Sequence, residues 1–256
     1  MKKNFTKNSI ILLTIMLLSA AVSVNAQENK PETESKNLVK WNFAALALKN
    51  YSFQYERAIG KKISVAVGVR FAPKSGVPFP GQVEKLIDDE DTWNSIKDFK
   101  TGNTAITPEI RFYMGKGVFR GFYVAPFVRY SKYTAEVPYT FDVEVGGTTR
   151  TETMPLSGDV TALTGGLLFG AQWKLSKLVY LDWWILGPNY GTSSGNISGK
   201  KTLNSEEQQA LRESLEDLSD LPLVKTKYEV DGEGAKVDFD GPWAGLRAGL
   251  SVGFRF

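Results

Sequence analysis

The last fifteen residues of the chain, Pro242 to Phe256, alternate with a period of two. Ala244, Leu246, Ala248, Leu250, Val252, Phe254 and Phe256 fall on one side, and Gly245, Arg247, Gly249, Ser251, Gly253 and Arg255 on the other. Successive side chains of a strand point to opposite faces, so this segment has one apolar face and one face of small and cationic groups. A tilted strand crosses a bilayer in about 9–11 residues, and this one is long enough. The pattern predicts lipid on the apolar side and a narrow polar interior on the other.

The opposite end carries a different signal. Lys2, Lys3 and Lys7 precede an apolar run from Ile10 to Leu18, and Val24-Asn25-Ala26 stands before Gln27. This is the layout of a cleaved secretory signal over 1–26, leaving 27–256 as one barrel domain. An uncleaved anchor is the alternative, but the apolar run is shorter than the roughly 20 residues a spanning helix needs. The chain has no cysteine, which excludes a disulfide framework and a lipid-anchor thiol. It holds 31 Lys and Arg against 28 Asp and Glu, and three of the lysines lie in the signal. Without the signal the charges balance, so the basic isoelectric point is no warrant for nucleic-acid binding.

Alternating runs bounded by turn residues predict eight strands, near 38–48, 51–58, 62–72, 104–114, 120–135, 159–173, 178–188 and 242–256. The links at 59–61, 115–119 and 174–177 are short, and those at 73–103, 136–158 and 189–241 are long. A tight turn at Lys49-Asn50 completes the set. Short and long links alternate, as in an outer-membrane barrel with short periplasmic turns and longer outside loops. The three long loops carry net charges of −2, −3 and −5, whereas the short turns are basic, with Lys61, Lys62, Lys116, Arg120, Lys174 and Lys177.

The predicted outward set includes Ile63, Val65, Val67, Val69, Phe71, Ile106, Pro108, Ile110, Phe112, Val124, Pro126, Val128, Val179, Leu181, Trp183 and Ile185. Pro108 and Pro126 lie inside strands, where each is expected to mark a bulge. Aromatic residues gather at both rims: Phe112, Phe122, Trp173, Phe254 and Phe256 at the short-turn end, with Tyr51, Phe71 and Tyr130 at the other. The inward set is ionic: Lys40, Glu56, Arg70, Glu109, Arg111, Arg129, Asp182 and Arg247. A barrel of about eight strands is filled by its own side chains, so these charges must pair. The readings are a structural salt-bridge plug, a gated ion path, or ligand binding near the mouth.

Within the last long loop, 204–219 reads as a helix, with Asn204 or Ser205 as cap, Glu207 or Gln208 completing a capping box, Leu211, Leu215 and Leu218 as an apolar stripe, and Pro222 as the stop. Asp231-Gly232-Glu233-Gly234 signals a hairpin, and a second is expected around Gly146-Gly147. These hairpins read as strand extensions above the membrane; if both entered the ring, the barrel would have ten or more strands. The acidic runs Asp88-Asp89-Glu90-Asp91 and Asp238-Phe239-Asp240 lack the spacing of a calcium loop and read as solvated surface. No cofactor or metal site is marked.

The chain contains no histidine. A Ser-His-Asp or Asp-His device cannot be assembled, and the nitrogen and sulfur ligands of a zinc site are missing. A carboxylate pair remains possible for glycoside chemistry, but nothing marks one out. The expectation is a protein without enzyme activity.

Four stretches carry a resemblance. They are Asn42 to Glu56, then Thr107-Pro108-Glu109-Ile110-Arg111-Phe112-Tyr113, then Asp182 to Gly191, then Gly241 to Phe256 with its aromatic terminus. Together they resemble an uncharacterised family of bacterial outer-membrane barrels known only as a domain of unknown function. The resemblance implies an eight-stranded barrel shaped like that of outer-membrane protein A. It implies no catalytic residues, and it associates some relatives with surface-fimbria gene clusters. The combined expectation is an all-β fold, an eight-stranded antiparallel transmembrane β-barrel with one short helix in the last long extracellular loop, located in the outer membrane. Its expected partners are outer-membrane lipid, the barrel-assembly machinery through a C-terminal insertion signal at Phe254 and Phe256, and a surface protein or polysaccharide at loops 73–103 and 189–241. A small channel and a soluble lipocalin-like carrier are the alternatives; the carrier would turn the same faces inside out.

Overall fold

The structure is a computed structural model describing residues 35–87, 89–145, 147–219 and 225–256; the expected signal, 1–26, lies outside the described residues. From Lys36 onward the described chain forms one unit. Its strands are β1 (Asn37–Asn42), β2 (Tyr51–Ala58), β3 (Ile63–Gly76), β4 (Lys100–Tyr113), β5 (Gly121–Val145), β6 (Thr148–Lys174), β7 (Val179–Lys200), β8 (Lys225–Asp231) and β9 (Gly234–Arg255). Eight of them close an antiparallel ring in the order β1-β2-β3-β4-β5-β6-β7-β9, with β9 pairing back onto β1. β8 lies outside the ring and pairs with the start of β9, from Lys225↔Asp240 to Asp231↔Gly234. The hairpins lengthen existing strands or add this flanking strand, and the ring stays at eight.

Among the described residues three α-helices accompany the strands: α1 (Pro80–Leu86), α2 (Glu90–Ile96) and α3 (Ser205–Ser219). The first two fall in 73–103, one of the expected long loops, where no helix was read from the sequence. Asp89, from one of the acidic runs, caps α2 by accepting from the Thr92 N–H at 2.6 Å. The strand expected over 38–48 stops at Asn42, and Ala44–Leu48 forms a 3-10 turn instead. Asn42 Oδ1 accepts from the Ala45 N–H at 3.1 Å, and Lys49 closes the turn in the left-handed region at φ 53°. A local side-chain bond of this kind competes with continuation of the ladder.

The prolines do not mark bulges. Pro108 pairs with Val67 and Pro126 with Leu167 without any slip in register. The β4–β5 register is also constant, from Ile106↔Tyr130 through Glu109↔Phe127 to Phe112↔Val124. Both prolines fall on this seam, where each lacks an N–H but adds no residue. Register shifts occur elsewhere, between Ala72 and Ser75 in β3 and around Trp184–Gly187 in β7. At the second, Ile185 stays on the outer side, Leu186 joins it at 47% exposure, and Gly187 turns into the bore beside Leu168 and Arg247.

Burial has opposite sense in the two halves of the molecule. In the lower half, toward the short turns, Val67, Ile106, Val128, Leu163, Trp183 and Phe254 are exposed on the wall, while Lys40, Glu56, Arg111 and Asp182 are buried inside. This is the polarity of a transmembrane barrel. The inside-out arrangement of a soluble carrier is therefore excluded. Along β5, the lower inward residues are Arg129 and Ser131, but the upper ones, Phe141 and Val143, form an apolar core. The outer face changes in the opposite direction, from Val128 and Tyr130 to Lys132, which pairs with Asp159 of β6 at 2.8 Å. The upper half is thus packed like a water-soluble domain. Its core joins Phe141, Val143, Met154, Leu156, Leu203, Leu211, Leu215 and Ala235.

α3 closes that upper core. Asn204 Oδ1 accepts from the N–H groups of Glu206 and Glu207 at 3.0 and 2.9 Å, and Glu207 Oε2 accepts from the Asn204 N–H at 2.9 Å, which is the capping box read from the sequence. Leu211 and Leu215 are buried; the Leu218 side chain lies outside the described residues. Arg150 holds Glu207 at 2.9 Å, and Lys201 bonds Glu152 at 2.5 Å.

Two outcomes follow from this packing. Leu211→Ala should cost about 2–5 kcal/mol of local stability, seen as faster amide exchange in α3 and the upper core with unchanged exchange in β4. The hydrogen bond from Lys201 holds the Glu152 carboxyl below its usual range. A lowered folded pKa contributes stability that is present above the unfolded value of about 4.3 and is lost as pH falls through the folded one. Acidification below about pH 4 should therefore raise amide exchange around Lys201 and Glu152, and Glu152→Gln should remove that pH dependence.

Candidate functional site

The bore is built from one residue type per need: long cations that reach the axis, carboxylates that meet them, and small residues that leave room. Arg111 of β4 is fully buried at its centre. Its Nε meets Glu109 Oε1 at 2.6 Å and its Nη1 meets Asp182 Oδ2 at 2.7 Å, with Glu56 Oε2 at 3.4 Å. Nη2 donates to Gln54 Oε1 at 2.8 Å, and the guanidinium lies over the Tyr123 ring at 4.4 Å. Lys40 of β1 pairs with Glu56 and with Asp182 Oδ2 at 2.6 Å. Arg247 of β9 reaches Glu109 Oε2 at 3.0 Å and packs over Phe127 and Trp184.

Six of the eight inward charges read from the sequence therefore meet in one network: Lys40, Glu56, Glu109, Arg111, Asp182 and Arg247. Neutral partners complete it. Tyr113 donates to Glu56 Oε1 at 2.6 Å, Tyr123 to Asp182 Oδ1 at 2.8 Å and Trp184 Nε1 to Asp182 Oδ2 at 3.1 Å. Ser64 also donates to Glu56, and Gln172 Oε1 accepts from Lys40 and Arg111 and lies 2.9 Å from the Tyr113 hydroxyl oxygen. Every strand of the ring contributes at least one side chain. Glycine makes room at the tightest approach: a Cβ on Gly170 would stand 2.3 Å from the Tyr123 hydroxyl and 2.8 Å from the Trp183 carbonyl oxygen.

Arg70 and Arg129 do not join this network. Arg129 Nε donates to Ser131 Oγ at 3.0 Å and Nη1 to Thr107 Oγ1 at 3.4 Å. Among the described residues, no carboxylate lies within ion-pair distance of either arginine. Sequence reasoning missed Gln54, Gln172, Tyr113 and Tyr123, whose inward parity was legible but whose neutral side chains carried no flag. It also missed Phe119. That residue, in the turn before β5 at φ 65°, is fully buried and closes the lower end against Tyr113 and Tyr180, with Arg255 above its ring at 5.4 Å. Phe254 and Phe256 remain exposed at the lower rim, at 58% and 60%. Among the described residues no cluster of three or more acids has the arrangement of a metal site. Asp238 is paired with Lys236 at 2.7 Å.

Asp182, like Glu56, meets both Lys40 and Arg111. Asp182→Asn leaves Lys40 and Arg111 buried with one counter-charge fewer and should cost about 3–5 kcal/mol, the usual price of breaking a buried pair. Urea unfolding in phospholipid vesicles, read by gel mobility of the unheated protein, measures it. An unchanged midpoint would show that the network does not hold the ring together.

The barrel is similar in fold to several solved structures at low identity. The N-terminal β-barrel domain of OprF from Pseudomonas aeruginosa is 10% identical, with a TM-score of 0.25, over 87% of this chain and 98% of that one. The translocator domain of autotransporter NalP from Neisseria meningitidis is 10% identical, with a TM-score of 0.34, over 97% of this chain and 96% of that one. The β domain of the Bordetella autotransporter BrkA is 11% identical, with a TM-score of 0.21, over 87% of this chain and 99% of that one. No curated protein sequence matches the chain. The family model that does match spans residues 11–191, more than half of the chain, and the protein belongs to that family, described as Protein of unknown function (DUF3575).

Proposed function

We propose that the protein is a non-enzymatic barrel of the Gram-negative outer membrane that displays a folded acidic head at the cell surface for contact with another surface component. The observation that carries this reading is the reversal of polarity along the barrel. Below the level of Lys132 and Asp159 the wall is apolar, and above it β5, β6, β7, β8, β9 and α3 enclose a second core. A barrel that needed only to span the membrane would have no use for that upper packing. Export through a cleaved signal at 1–26, contact with outer-membrane lipid, and engagement of the barrel-assembly machinery through Phe254 and Phe256 belong to the same proposal. The partner is a surface protein or polysaccharide that docks on the head, and assembly of a fimbria or similar surface structure is the setting we favour. The absence of histidine from the chain is the support for a role without catalysis.

The channel reading is weaker because the bore is occupied at successive levels, by Phe119 at the bottom, by Arg111 and its partners in the middle, and by a Tyr133–Trp243 ring pair 4.9 Å apart toward the top. Two experiments test the proposal. Replacing residues 203–230 by a short Gly-Ser tether should leave a heat-modifiable, membrane-inserted barrel that no longer captures surface components from an envelope extract. Retained capture would move the contact to another surface. Purified protein in planar bilayers should show no stepwise conductance, and reproducible channels would replace this reading with the transport one.

A further inference from the structure

The interior is unevenly charged. Its three carboxylates, Glu56, Glu109 and Asp182, all lie within the network around Arg111, whereas Arg70, Arg129 and Arg247 gather on the long-loop side of that network. These three arginines line one cavity of about 300 Å³, together with Asn50 and Ser52. Among the described residues the only carboxylate that reaches any of them is Glu109, at 3.0 Å from Arg247, and Arg111 and Gln54 already share it. Arg129 reaches hydroxyl groups only. Arg70 Nε is buried without a hydrogen-bond partner. Three guanidinium groups facing one small cavity repel each other strongly where water is scarce, and a buried cation without a counter-charge is costly. Such a set is stable when an anion with several acceptor oxygens sits among them, because guanidinium binds phosphate and carboxylate in forked pairs.

The route into this cavity is also visible. Toward the head, the Tyr133 and Trp243 rings bridge the bore from β5 to β9. To the side, β1 pairs with β9 only from Ser251 onward, and β8 pairs with it only up to Asp240. Between those points the described neighbour of the β9 edge is the 3-10 turn Ala44–Leu48, and turn and strand together form a wall of the cavity. Leu48 and Leu246, which flank the cavity here, are 54% and 64% exposed on the outer surface. A cationic pocket with an apolar side rim suits a phosphate group carried on a hydrocarbon chain.

We propose that Arg70, Arg129 and Arg247 form a binding site for a phosphate-class oxyanion, supplied by the headgroup of an anionic lipid reaching in past Leu48 and Leu246 or by free phosphate. The site is independent of what the head contacts. Detergent-solubilised protein is titrated calorimetrically with phosphatidic acid, with phosphatidylcholine and with inorganic phosphate. One-to-one saturable binding of phosphatidic acid and none of phosphatidylcholine is expected. Arg70→Gln and Arg129→Gln should each weaken it by about tenfold or more, the loss of one charge-assisted hydrogen bond. Lys132→Gln, on the outer surface, should leave it unchanged. Comparable affinity for inorganic phosphate would identify a soluble oxyanion as the source, and preference for the lipid would identify the bilayer. A measurement on the unaltered protein stands beside these: its urea midpoint should rise with phosphatidic acid or phosphate by mass action. In neutral detergent without anion, both arginine variants should unfold at higher urea than the parent, because like-charge repulsion has been removed. Absence of saturable binding to either anion with a fixed midpoint, or binding that survives both substitutions, overturns the proposal.

Discussion

The ion network around Arg111 is the interaction on which the ring depends. A closed sheet has no free edge to correct a misplaced strand, and β1, which completes the closure, is only six residues long. Lys40 ties that short strand to Glu56 of β2 on one side and to Asp182 of β7 across the bore. Arg111 binds the same two carboxylates and Glu109, which Arg247 also meets, so a one-residue shift of β1, β2, β4, β7 or β9 would turn a buried charge outward and leave its partner unpaired. Apolar packing could fill the same volume with equal or greater stability. What the ions add is a penalty on wrong registers, since each must meet its own counter-charge.

The second constraint is a change of surroundings along the strands. In the lower half the wall is apolar and exposed, and the bore must satisfy its own charges. In the upper half the wall meets water and the interior is free to be apolar. β5 and β6 show both regimes on one continuous ribbon, from Arg129 to Phe141 inside and from Val128 to Asp142 outside. Alternation persists throughout, but its meaning reverses at about Lys132. This explains why the segment 136–158 looks like a loop when judged by a single rule for lipid-facing strands. Its apolar residues, Phe141, Val143, Met154 and Leu156, belong to the core of the head.

Much of the lower half was legible because parity alone assigns a strand's faces once one face is known. Lys40, Glu56, Glu109, Arg111, Asp182 and Arg247 were readable as interior for this reason, as were the outward prolines Pro108 and Pro126. The expectation that those prolines mark bulges did not hold. A missing N–H weakens a seam but adds no residue, and only an added residue shifts register. The register shifts lie elsewhere: the one at Ala72–Ser75 spans Pro73, a proline the sequence reading did not single out, and the one at Trp184–Gly187 has no proline within it. Phe119 was silent in the sequence. It sits in a short basic turn, and its burial depends on the turn folding back under Tyr113 and Tyr180.

The amino-acid order determined which residues lie on the outer wall and which face the axis, where the α3 cap lies, and the absence of histidine. These are properties of period, spacing and residue type, which act over a few neighbouring positions. Tertiary structure decided which charges meet. Glu109 and Arg247 are 138 positions apart, and Lys40 and Asp182 are 142 apart. Tertiary structure also decided that Arg70 and Arg129 stand in the bore without a carboxylate. Partnership across a cylinder depends on the stagger of eight strands, a quantity summed around the whole ring that no stretch of sequence carries by itself.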